Sequence, residues 1–225
     1  MKTSLNAVGV ALVATIAPTG PAVGQGATGA QRSAPARAGP SSMDVAGVRL
    51  GMPVADAQAA LAGTYRCERP SRTASFRQLV DGEIERRRGG RRFFGPEGAA
   101  IDELACTGPS GEYMRLFMAQ TAGGTVVDRI DLFIRTDRVD PTELVRQVER
   151  KYGRPTEGTA ANGSWCVTRC GFDLTMEPKP RITVRSDASS FKIMGSRGRE
   201  ARLADGAAVT EAAAKAAPAA KRGAF

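Results

Sequence analysis

Apolar and polar positions alternate with two different periods along this chain, and the switches between them predict the elements. Val45, Val48 and Leu50 precede Gly51 and Pro53, and Val54, Ala57 and Leu61 then follow at i, i+3 and i+7. That reads as an extended entry, a glycine corner and a short helix stopped by Gly63. Thr64–Glu68 is short and extended. Ser71–Arg88 reads as a second helix, with Phe76, Leu79, Val80 and Ile84 on one face. Period two then takes over in Ile101–Thr107, Tyr113–Ala119 and Val126–Arg135. In the last of these, Ile130, Leu132 and Ile134 face one way, and Arg129, Asp131, Phe133 and Arg135 the other. Short glycine-containing turns between such runs predict an antiparallel meander with one wet face. A third helix has the clearest boundaries: Asp140 as N-cap, Pro141 at the first position, Glu143 completing a capping box, and Gly153 and Pro155 closing it. A second strand group follows at Ser164–Leu174, Arg181–Arg185 and Phe191–Met194. The order suggests two halves of similar plan, without a residue-level repeat. The predicted fold class is α+β, with short helices packed on one face of antiparallel sheet.

The residues Gly47-Val48-Arg49-Leu50-Gly51-Met52-Pro53, with the helix ending in Leu61-Ala62-Gly63, also carry a likeness. The stretch resembles the opening of small outer-membrane-assembly lipoproteins, the SmpA/OmlA or BamE-like family. It is also similar to the related fold of secreted β-lactamase inhibitor proteins. Tyr152-Gly153-Arg154-Pro155 and Trp165 form a weaker echo. The resemblance implies helices on a small antiparallel sheet and a protein-binding module of the cell envelope, or an inhibitor-like secreted domain. The chain departs from the lipoprotein pattern in lacking a cysteine at the end of its export signal.

That signal changes how the rest is read. Met1-Lys2, the apolar run Ala7–Ala17 and the small residues of Ala22-Val23-Gly24 predict a secretory signal peptide over 1–24. The run is too short to span a bilayer, and no other stretch reaches that length. A flexible leader over 25–42, a globular domain over 43–195 and a low-complexity Ala/Lys/Arg tail over 196–225, disordered or loosely helical, complete the expected organisation. The expected location is periplasmic or secreted.

In an oxidising compartment, Cys67, Cys106, Cys166 and Cys170 predict two disulfides, among three pairings that four cysteines allow. Cys166 and Cys170 read as a staple across a three-residue hairpin loop, which leaves Cys67 to Cys106. No histidine occurs and no C-x-x-C spacing, so zinc, imidazole bases and Ser-His or Cys-His nucleophiles are not expected. The predicted protein is not an enzyme and has no cofactor. The formal charge of +9 divides evenly, +3 in each of residues 1–42, 43–195 and 196–225. The globular part is therefore close to balanced, and nucleic acid is not an expected partner.

Two surfaces remain as candidates. Arg129, Asp131, Phe133 and Arg135 would meet an unidentified envelope or extracellular protein. Arg86, Arg87, Arg88, Arg91 and Arg92, followed by Phe93-Phe94, would make a weaker contact with an anionic envelope polymer or lipid head groups. Trp165 reads as core packing.

Overall fold

The computed structural model describes residues 39–90, 98–171 and 177–216. The expected signal peptide, most of the leader, Arg91, Arg92, Phe93, Phe94 and the last nine residues lie outside them.

The entry forms a tight ribbon of β1 (Asp44–Val45) and β2 (Val48–Arg49). Gly51 turns the chain with φ +78°, a conformation that costs glycine little. Helix α1 (Val54–Leu61) follows, with Ala57 and Leu61 buried as its spacing predicts. Next come β3 (Arg66–Cys67), β4 (Ser71–Thr73) and α2 (Phe76–Arg87). The second helix therefore starts later than expected, because Ser71–Thr73 pairs with the next strand instead. Ser75 is its N-cap and forms a capping box with Gln78.

The meander is β5 (Ala100–Thr107), β6 (Tyr113–Thr121) and β7 (Gly124–Arg135). Asp128 is an extra residue in β7, since Phe117 pairs with Arg129 and Met118 with Val127. The bulge shifts the strand's phase so that Val127 and Ile130 both point inward. Helix α3 (Pro141–Tyr152) is capped by Asp140, whose carboxylate accepts the Thr142 N–H at 2.8 Å. The expected capping box does not form there, because the Glu143 carboxylate accepts from Arg146 and Arg150 instead. Strands β8 (Glu157–Gly158), β9 (Asn162–Cys166), β10 (Arg181–Ser186) and β11 (Ser190–Ser196) lead into α4 (Arg199–Ala216).

All strands from β3 onward join one antiparallel sheet in the order β3-β5-β6-β7-β11-β10-β9-β8, with β4 also on β5. The two meanders meet where β7 pairs with β11. The inward side chains of both, such as Met114, Leu116, Ile130, Ile182, Val184 and Phe191, form one core with α1 and with Leu144 and Val148 of α3. Trp165 is part of it: its indole N–H donates to the Tyr152 carbonyl at 3.1 Å, and the two rings meet edge to face. Helices α2 and α4 add nothing to this core. Each lies against the other, and the Arg87 guanidinium donates to the Thr210 carbonyl.

The tail expected from 196 onward is not a tail at its start. Ser196 ends β11, and 18 residues of α4 follow. Alanine's high helix propensity favours the helix, and fully buried Ala213 packs it.

Candidate binding surface

Both expected disulfides are present, Cys67–Cys106 and Cys166–Cys170, and no cysteine is free. Two disulfides fit an oxidising compartment outside the cytoplasm. Among the described residues, no helix is long and apolar enough to cross a membrane. Cys67 and Cys106 sit directly opposite on β3 and β5. The second link differs from the hairpin staple expected. Cys166 ends β9, whose partners are β8 and β10, so the disulfide closes a loop that leaves the sheet.

The outer face of the sheet carries the residues that alternation turns away from the core. Paired register arranges them in transverse rows, because directly opposite side chains share a face. One row holds Glu103, Phe117 and Arg129, and the next Arg115 and Asp131. Arg115 donates to both oxygens of Glu103, at 2.6 and 2.8 Å, and this pairing holds the Glu103 carboxyl below its usual range. Arg129 lies 3.3 Å from Asp131. Burial still raises the Asp131 carboxyl above its usual value, against the opposing pull of Arg129 and Arg115. The Phe117 ring has the Arg129 guanidinium 3.7 Å from its centre and the Arg115 guanidinium 4.8 Å away.

The four residues expected to meet a partner share this face, but their environments differ. Arg129 and Asp131 pair with each other. Arg135 donates to Asp137 at 3.1 and 2.7 Å. Phe133 is 38% exposed, and Tyr113 opposite it on β6 is 41% exposed. These are the two exposed aromatic side chains among the described residues. Sequence reasoning missed Phe117 and Tyr113. Their alternation was legible, but which residues they face depends on register, which the bulge at Asp128 shifts.

The described arginines of the other candidate cluster are engaged locally. Arg86 donates twice to Glu83, at 2.8 and 2.5 Å, and Arg87 donates to the same carboxylate at 3.2 Å. Arg88 pairs with Glu85 at 3.0 Å. Much of their charge is thus neutralised within α2, while Arg91 and Arg92 lie outside the described residues.

A third polar group lies under cover. Arg181 on β10 donates to Thr183 Oγ1 at 2.8 Å, to the Gly171 carbonyl at 2.6 Å and to Ser164 Oγ at 2.9 Å. Glu177 accepts the Gly171 N–H at 2.5 Å and lies 3.7 Å from the same guanidinium. All four side chains are buried. The network is saturated with internal partners, which suits structure rather than chemistry. A shallow depression beside Gly153, Pro155 and Ala160 has only Glu149 and Arg154 as charged groups. Among the described residues, no cluster of three His, Cys, Asp or Glu side chains is placed to hold a metal ion.

Compared with models of known protein families, with curated proteins and with solved structures, the chain matches none.

Proposed function

We propose that this protein is an exported, non-enzymatic binding module of the cell envelope that holds a partner protein on the open face of its sheet. The observation that carries this reading is the pair Tyr113 and Phe133. The two rings lie opposite each other on adjacent strands and are each about two-fifths exposed, an adjacent aromatic pair rather than a scattered single side chain. Aromatic side chains and arginine are the residue types that dominate binding energy at interfaces. Around the rings, charges paired within the face supply a polar rim that needs little rearrangement on contact. The likeness of the Gly47–Pro53 stretch to envelope lipoproteins points the same way, as does the disulfide chemistry. A pull-down from envelope extract tests the proposal. The wild-type protein should retain a partner that an Arg129→Ala/Phe133→Ala double variant loses. Retention unchanged by the double variant would count against this face.

A further inference from the structure

One transverse row of the outer face differs from its neighbours. Register links Arg66 to Thr107, Thr107 to Tyr113, Tyr113 to Phe133, Phe133 to Lys192 and Lys192 to Arg185. All six side chains therefore point out of one side of the sheet, across β3, β5, β6, β7, β11 and β10. At about 4.8 Å per strand, the row is roughly 24 Å long. The two exposed rings occupy its centre and cations flank them on both sides.

The two arginines of the row are not neutralised as their neighbours are. Arg66 and Arg185 are exposed and, among the described residues, have no hydrogen-bond or ion-pair partner. The nearest acid to the Lys192 ammonium is Asp187, at 3.9 Å. In adjacent rows, Arg115, Arg129 and Arg135 are each held by a carboxylate of this chain. Two cations without a partner among the described residues, Arg66 and Arg185, thus stand at the ends of the row whose centre exposes the rings.

Building on the reading of the sheet face as the docking surface, we infer that this strip takes an acidic polypeptide segment of the partner, with an apolar or aromatic side chain set among its carboxylates. Guanidinium groups meet carboxylates in a bidentate fork, and the central rings offer apolar contact. The strip's own geometry disfavours other polyanions. Sugars and nucleic-acid bases need an open ring face on which to stack. The Lys192 ammonium lies over the Phe133 ring, 4.9 Å from its centre, and occupies one such face. Anionic membranes are read by clusters of about four to eight basic residues, and the strip has three.

The test uses the mature full-length protein and four probes: a glutamate–tyrosine copolymer, poly-glutamate, polygalacturonate and phosphatidylglycerol vesicles. The copolymer should bind tightest. Raising salt from about 50 to about 500 mM should weaken it at least tenfold. Arg66→Ser and Arg185→Ser should each lower its affinity about three- to tenfold, and Phe133→Ala about tenfold, with unchanged circular dichroism. Equal or tighter binding of polygalacturonate or vesicles, no response to Phe133→Ala, or no binding of the copolymer would each overturn the inference. If the copolymer fails while the Arg129/Phe133 variant still loses an envelope protein in the pull-down, the docking face stands and only the acidic partner falls. If both fail, the docking face falls as well.

Discussion

The outer face of this sheet exists in an open and a closed version. Over β5, β6 and β7, Arg115 and Arg129 hold Glu103 and Asp131 within reach of solvent. Over β9 and β10, Arg181 holds Ser164, Thr183 and Gly171 beside Glu177, with side-chain exposures of 8% for Arg181 and 2% for Glu177. Alternation is the same in both, and so is the chemistry of an arginine surrounded by acceptors. What differs is the cover. The loop closed by Cys166–Cys170 supplies Gly171, and the Arg199 N–H at the start of α4 donates to the Glu177 carbonyl. A polar outward row thus becomes part of the scaffold where a loop folds over it, and stays in reach of solvent over β5 to β7.

Substitution in the closed region should give the largest effect. Arg181→Ala leaves the buried Glu177 without its cation and Ser164, Thr183 and Gly171 without their shared donor, and should cost about 3–5 kcal/mol in denaturant unfolding. A loss below about 1 kcal/mol would mean that the cover is loose and the two versions equivalent. The disulfides should separate next. Removing Cys67–Cys106, with a sequence separation of 39, should cost about 4 kcal/mol on the chain-entropy scale. Removing Cys166–Cys170, with a separation of 4, should cost only about 2 kcal/mol. The second change alone should speed amide exchange at Ser164 and Thr183, because it frees the cover. On the open side, Arg115→Ala should cost no more than about 1 kcal/mol, as expected for a solvent-screened pair.

The smallest effect concerns the turn between β10 and β11. The Asp187 carboxylate accepts from the N–H and hydroxyl of both Ser189 and Ser190, which lower its pKa to about 2. A depressed carboxyl stabilises the folded state above its ordinary value of 3.8 and loses that contribution as pH falls through 2. Acidification across this window should increase amide exchange at Ser189 and Ser190. Asp187→Asn should remove the pH dependence.

Elements whose signals are local were legible in the sequence. Asp140-Pro141 started α3 and Gly153 ended it, and alternation in β7 placed Ile130 and Leu132 inside. Ser75 and Gln78 also carried a readable capping box, but Phe76 was assigned to a helix already begun at Ser71. Elements fixed by partners were not legible. The Asp128 bulge depends on β6, and the transverse row through Arg66, Tyr113, Lys192 and Arg185 needs five pairings that no single strand encodes. A loose helix was among the expectations for the tail, but the packing of α4 was hidden because an alanine-rich segment shows no stripe, and α2 supplies the surface it lies against. The buried Arg181 network was hidden for a related reason: alternation assigns Ser164 and Thr183 outward, and only the tertiary cover buries them.

The opening residues depend on parts of the chain made much later. Asp44 receives the Lys151 ammonium and the Tyr152 hydroxyl, 107 and 108 residues downstream. Gly51 and Met52 exchange backbone hydrogen bonds with Val127. Leu50 fits against Gly195, where a methyl group would come within 2.7 Å of Ile182 and 3.5 Å of Leu50. The segment synthesised ahead of all these sites must wait unanchored until they exist, since such distant contacts close slowly. Shortening the chain before β11 would therefore remove the Gly195 seat of Leu50 and loosen the opening segment.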